Sequence, residues 1–269
     1  MAFINANGVE IAYSAYGEKG NPLLLMVHGA LGNKEDFNPL AERYANTHYV
    51  IAYDCRGHGE SEKPRRYTLE DHARDLLAII DATGYRQADV YGYSMGSYIV
   101  LKAAALGQGK IRRCVAIATR SWGRTSSIRR MLTDWRTYAQ FSPSMGFGIG
   151  GLATLWSPDT SKALRRLATA AERQKAKKQS HRWHIVREAL AADRALRNFD
   201  LRDCCKEIAC PVLIIQGRHD QINPPEAAEE LIQGIANCRS IVMEHSGHMI
   251  GVEEPNKLFS AVIDFLTAP

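Results

Sequence analysis

Five short apolar runs recur along the chain, and their spacing leaves few folds open. Leu23-Leu24-Leu25-Met26-Val27, Tyr49-Val50-Ile51-Ala52-Tyr53, Ala88-Asp89-Val90-Tyr91-Gly92, Cys114-Val115-Ala116-Ile117 and Val212-Leu213-Ile214-Ile215 are continuous rather than alternating. A strand reads this way when both of its faces are covered. Ser240-Ile241-Val242-Met243 closes the series. Helical patterns lie between the runs. Leu69, Ala73, Leu76, Leu77 and Ile80 share one stripe that Gly84 ends, and residues 95–106 are small and apolar. Residues 226–232 and 256–266 are amphipathic, the second entered through Pro255. Strand and helix in alternation predict an α/β fold: a mostly parallel sheet of about eight strands with helices on both faces. At the front, Val9, Ile11 and Tyr13 alternate with smaller or polar residues, which predicts a half-exposed strand. Asn7-Gly8 supplies a hairpin turn back to Phe3-Ile4.

The alternation stops after Ile117 and resumes at Pro211. Segments 127–140, 160–180 and 181–197 read as helical, with a glycine-rich break at 146–151. The expected organisation is a core of 1–119 and 209–269 with a helical cap, 120–208, inserted into it. Charge follows the same division. Residues 120–200 hold 16 Lys/Arg against six Asp/Glu, whereas the remainder holds 18 against 23. Such a segment is either a solvated helical face or an attractor of anionic ligands. No nucleic-acid module is recognisable, and the basic residues are not interleaved with stacking aromatics.

The longest apolar run is far too short to span a bilayer. The first eight residues carry neither a basic n-region nor an h-region, so a cytoplasmic location is expected. The six cysteines, including the adjacent Cys204-Cys205, show no C-x-x-C pair, and reduced thiols are expected.

Gly92-Tyr93-Ser94-Met95-Gly96 follows an apolar run and opens a helical pattern, the context that gives G-x-S-x-G its meaning. A serine on so sharp a turn adopts a strained backbone, and its neighbours two residues away must lack Cβ atoms for the chain to pass. The turn exposes the hydroxyl and leaves the Met95 N–H free to meet an oxyanion. Serine needs a base. Asp220 follows the run 212–215, and His248 follows the run 240–243, so nucleophile, acid and base occur in the order this turn uses. His245 competes for the base role, and His219 adjoins the acid. His28, His58 and Asp54 read as structural groups in turns. His181 and His184 lack partners at metal-ligand spacing, so neither a metal nor a cofactor is expected.

With these motifs in place the chain resembles the α/β-hydrolase-fold superfamily, in its capped serine esterase and lactonase branch (enol-lactonases, small-ester hydrolases and cofactor-free haloperoxidases). His28-Gly29-Ala30-Leu31 is similar to that family's oxyanion loop, and 54–61 to its loop after the fourth strand. The resemblance implies Ser94 as nucleophile, His248 as base, Asp220 as the orienting acid, and the Ala30 and Met95 amides as the oxyanion hole. Ser97 stands where many relatives carry a second glycine. The implied activity is cleavage of a small ester or lactone, anionic if Arg120 or Arg124 binds a carboxylate. Trp122, Trp135, Phe141, Phe147 and Trp156 would either line the pocket or pack the cap. The same constellation also serves C–C bond hydrolases, perhydrolases, lyases and triad-bearing receptors.

Overall fold

The computed structural model describes residues 2–30, 32–123, 191–192 and 194–268. The main sheet comprises β1 (Ala2–Ala6), β2 (Val9–Tyr16), β3 (Leu23–Val27), β4 (Tyr49–Tyr53), β5 (Ala88–Tyr93), β6 (Ile111–Ile117), β9 (Val212–Gly217) and β10 (Cys238–Met243). Their order across the sheet is β1-β2-β4-β3-β5-β6-β9-β10. β1–β2 and β2–β4 pair antiparallel, and every later pair is parallel. The eight mostly parallel strands agree with the sequence reading. One detail differs: β2 is an interior strand, paired on both sides, so Ala12 is buried along with Val9 and Ile11. Asn7 and Gly8, at φ 51° and 76°, form the expected hairpin turn.

Continuous apolar strands sort their side chains onto two covered faces. Leu23, Leu25 and Val27 enter a core with α2 (Leu69–Thr83) and α3 (Met95–Leu106). Leu24 and Met26 enter a second core with α1 (Asn38–Tyr44) and the final helix α6 (Pro255–Thr267). The short helices α4 (Glu229–Gly234) and α5 (Ile250–Glu253) lie near the C-terminal end, and residues 191–192 and 194–195 are helical as well. The amphipathic stretch 226–232 divides into a 3₁₀ turn, Pro225–Ala228, and α4. α2 is capped at both ends: Thr68 and Asp71 form a capping box, and Gly84 adopts the left-handed conformation at φ 80°.

The two ends of the 120–208 excursion meet. β7 (Trp122–Gly123) pairs antiparallel with β8 (Phe199–Asp200), and the Leu201 N–H donates to the Ser121 carbonyl at 2.9 Å. The segment therefore leaves and re-enters the core through one two-stranded stem. Residues 124–190 lie outside the described residues, and with them the expected helices 127–140 and 160–180, most of 181–197, Arg124, His181, His184 and the aromatics Trp135, Phe141, Phe147 and Trp156. Among the described residues no helix is long and apolar enough to cross a membrane, and no His, Cys, Asp and Glu side chains group as a metal site.

Three imidazoles are sealed beneath the loops that follow β3 and β4. His28 donates from Nδ1 to the Gly29 carbonyl at 2.7 Å, while its Nε2 accepts from the Cys55 N–H at 2.9 Å. One nitrogen donating and the other accepting defines a neutral ring. His58 packs edge-on against His28, ring centres 5.2 Å apart. Burial depresses all three imidazoles: His28 falls below the ordinary value, His58 drops to about 3 and His72 lies well below 6.5. Their folded pKa values lie below the unfolded value of 6.5. As pH falls through 6.5, the unfolded chain therefore takes up protons that the folded chain refuses. Stability is complete above that pH and declines below it by up to ~1.4 kcal/mol per pH unit for each ring. The expected result is a urea midpoint that drops steeply from pH 6.5 to 4, read by circular dichroism. A midpoint constant over that interval would contradict the burial of these rings.

Candidate active site

The parallel strands all point their C-terminal ends at one rim of the sheet, and the predicted residues lie there. Ser94 directly follows β5, at φ 52° and ψ −114°. This is a left-handed conformation that a residue with a Cβ adopts only under constraint. The constraint is visible. The Ser94 N–H donates to the Ile117 carbonyl of β6 at 2.9 Å. A Cβ on Gly92 would lie 2.2 Å from the Gly96 carbonyl oxygen, and one on Gly96 would lie 2.0 Å from the carbonyl oxygen of Val27. Both glycines let backbone pass against backbone, where no side chain can yield. Gly96→Ala is accordingly expected to lower stability by several kcal/mol, on the order of the larger single-residue effects, as measured by urea unfolding. A loss below about 1 kcal/mol would show that β3 and α3 separate easily.

Ser97 does not disturb this turn. It donates from its hydroxyl and its amide to the Ser94 carbonyl, at 2.5 and 2.9 Å, and so caps the first turn of α3 from within. The Ser94 side chain makes no capping bond to the helix it opens. Its Oγ lies 3.0 Å from His248 Nε2. His248 Nδ1 lies 2.7 Å from Asp220 Oδ2. Asp220 and His248 are both buried, at 3% and 5% exposure, so their pairing is screened little by water.

Each partner is positioned by its own loop. Asp220 Oδ1 accepts from the amides of Ile222 and Asn223 at 2.8 and 2.9 Å. The histidine loop packs on the end of β9, where a Cβ on Gly217 would lie 2.1 Å from the Gly247 carbonyl oxygen. Glu253 accepts from the Gly247 N–H at 2.6 Å, and Glu254 accepts from the Ser246 hydroxyl at 2.7 Å and the His245 N–H at 3.2 Å. Tyr93, the residue before Ser94, donates its hydroxyl to the His248 carbonyl at 2.9 Å. The elbow and the histidine loop are thus bonded directly. Sequence reasoning missed these carboxylate and phenol clamps. Glu253 and Glu254, placed five and six residues after His248, carry the one spacing from which a loop clamp is readable.

On the opposite wall, Gly29 comes close enough that a Cβ there would lie 3.4 Å from the Ser94 Cβ. Ala30 follows Gly29 in this loop. Among the described residues neither the Ala30 nor the Met95 amide donates a hydrogen bond. The remaining candidates stand apart from this group. His219 and His245 are exposed. Asp54 is fully buried and accepts from the Lys34 and Glu60 amides at 2.7 and 2.8 Å, a structural post for the loop after β4. Lys34 stays charged in the same buried cluster: burial disfavours its ammonium, but bonds to Glu35 and Glu60 outweigh that and raise its pKa. Arg120 donates to the Ile222 carbonyl at 3.2 Å, two residues beyond the acid. All six cysteines are free, and burial raises the pKa of the Cys204 and Cys205 thiols.

A sequence model for the alpha/beta hydrolase fold matches residues 22–255. A pimeloyl-acyl-carrier-protein methyl ester esterase of Neisseria meningitidis is 29% identical over 240 residues, 83% of this chain and 84% of its own. The 3-oxoadipate enol-lactonase 1 of Acinetobacter baylyi is 24% identical, over 97% of this chain and 95% of its own. The crystal structure of an enol-lactonase from Burkholderia xenovorans superposes with a TM-score of 0.79 at 25% identity, covering 99% of this chain and 100% of that one.

Proposed function

The chain belongs to the alpha/beta hydrolase fold family, and from that premise we propose that it hydrolyses carboxylic esters or lactones through a serine acyl-enzyme. The observation that carries this reading is the unbroken line from Ser94 Oγ to His248 Nε2 at 3.0 Å and from His248 Nδ1 to Asp220 Oδ2 at 2.7 Å. The esterase and enol-lactonase relatives support the same bond class.

In this mechanism Ser94 Oγ attacks the carbonyl carbon as His248 Nε2 takes its proton. Asp220 stabilises the imidazolium that forms, and the Ala30 and Met95 amides receive the oxyanion. Collapse of the tetrahedral adduct breaks the C–O bond. The Nε2 proton passes to the departing alkoxide, which stays tethered when the substrate is a lactone. Water then enters, gives a proton to Nε2 and attacks the acyl carbon, and the acid departs as Ser94 Oγ takes that proton back from Nε2. The positioned base contributes about 10²–10⁴-fold.

We further assign residues 120–208 as a cap segment inserted into the core after β6. The β7–β8 stem supports that assignment, because it holds both ends of the segment together. The excess of Lys/Arg over Asp/Glu in 120–200 favours substrates whose acyl part bears a carboxylate.

A fluorophosphonate probe tests the mechanism. It is expected to label the protein once, on the peptide containing Ser94, as mapped by mass spectrometry. Turnover on a panel of esters, lactones and ketones then defines the bond, and half-esters of dicarboxylic acids should outperform neutral esters. Labelling elsewhere, or turnover of the ketones alone, would overturn the ester assignment.

A further inference from the structure

Asp220 is held by a buried polar lattice that reaches back to the helix behind the nucleophile. Asn223, fully buried, donates one Nδ2 hydrogen to the Ala118 carbonyl at 2.6 Å and the other to the Tyr98 hydroxyl at 2.8 Å. A reversed amide would set Oδ1 against the Ala118 carbonyl oxygen, so these partners fix the orientation. Ala118 itself sits at φ 51° and donates its N–H to the Ile215 carbonyl at 2.8 Å, so its strained backbone is gripped on both sides. Gln216 ties the same parts again. Its Oε1 accepts from the Thr119 N–H at 2.8 Å, and its Nε2 donates to the Thr119 and Asn223 carbonyls at 3.0 and 3.2 Å. Tyr98 lies one turn beyond Ser94 in α3, with its ring stacked on Phe199 of the stem at 4.5 Å.

We propose that Asn223 is a positioning residue for the triad acid, anchoring the 220–223 turn to Ala118 and Tyr98 so that Asp220 faces His248. The inference rests on the serine-hydrolase reading above. The reasoning is mechanical. The backbone N–H of Asn223 grips Asp220 Oδ1, and its side chain grips Ala118, just past β6, and Tyr98 of α3, so one residue joins the carboxylate to the frame that carries Ser94. A turn released from that frame would let the carboxylate drift, and displacements of about 1 Å near a reacting centre cost up to ~10²-fold. A carboxylate held less closely also stabilises the imidazolium less, so the base takes the Ser94 proton less readily. A role confined to folding would leave the pH profile of kcat/KM unchanged.

The test uses Asn223→Ala, the neutral and similarly sized Asn223→Leu, which loses the donor without adding a charge, and Tyr98→Phe, which removes one acceptor and keeps the ring. The readouts are pH profiles of kcat/KM and the low-field proton NMR signal of the His248 Nδ1–H. Both Asn223 variants are expected to lose ~10-fold or more in kcat with little change in KM. Their acid limb should move from that of wild type, and the low-field signal should move or broaden. Tyr98→Phe should move both readouts in the same direction by less, and it serves alone if the Asn223 variants do not fold. An acid limb and an Nδ1–H signal unchanged from wild type in every variant that folds would overturn the proposal. Failure of the underlying reading has a different signature: wild-type protein that fluorophosphonate does not label at Ser94.

Discussion

Ser94→Ala is expected to lower kcat on a cleavable ester by about 10⁶-fold, because the three triad groups act as one unit and removing the nucleophile leaves the others nothing to activate. The substitution is clean in structural terms. Serine and alanine share the Cβ, so the backbone strain at φ 52° is unchanged and the passage past Gly92 and Gly96 is undisturbed. A serine at a helix N-cap usually holds an amide of the first turn, and its loss costs about 1 kcal/mol. Here the side chain makes no such bond and faces His248 instead, while Ser97 holds the Ser94 carbonyl. The stability of Ser94→Ala should therefore match wild type closely, with kcat the quantity that collapses. Residual turnover should reflect the oxyanion amides and binding alone. Steady-state kinetics beside a thermal melt checks both halves. Near wild-type ester turnover in the purified variant would falsify the nucleophile assignment.

What the sequence made legible divides along physical lines. Continuous apolar runs announced β3, β4, β5, β6 and β9 because a strand covered on both faces has no polar side to show. The grouping of Ser94, Asp220 and His248 at one rim is legible because Ser94 and Asp220 follow such strands and His248 follows the edge strand β10, and parallel topology brings those strand ends together. Illegible features share a different character. β7 and β8 are two residues each, below any period, and exist through their pairing with one another. α1 is seven residues long, opened by Pro39 and preceded by a 3₁₀ turn, too short for an apolar stripe to declare itself. The interior position of β2 depends on β4 lying beside it, a tertiary fact that alternation in 9–16 cannot report. Tyr93, Gln216, Asn223 and Tyr98 act by bonds to groups up to 155 residues away in the chain, and such bonds leave no spacing to count.

Asp220→Asn is the second large effect, about 10⁴-fold in kcat, and the geometry specifies its cause. In the native arrangement the two oxygens of Asp220 are divided between tasks. Oδ1 accepts from the Ile222 and Asn223 amides, and Oδ2 faces His248 Nδ1. An asparagine must place its one carbonyl oxygen where two backbone N–H groups already point, because its NH₂ there would set donors against donors. The NH₂ is thereby turned toward His248 Nδ1. Nδ1 must then accept, which moves the ring proton to Nε2 and presents an N–H, not a lone pair, to Ser94. The base is lost with no atom displaced. Two observations follow together: fluorophosphonate labelling of Ser94 slows in parallel with ester turnover, and the low-field Nδ1–H signal disappears. A variant that kept the signal and the labelling rate would place the orienting carboxylate elsewhere. The effect is much larger than that of losing a surface charge because Asp220 is buried and its pairing with His248 is screened little by solvent.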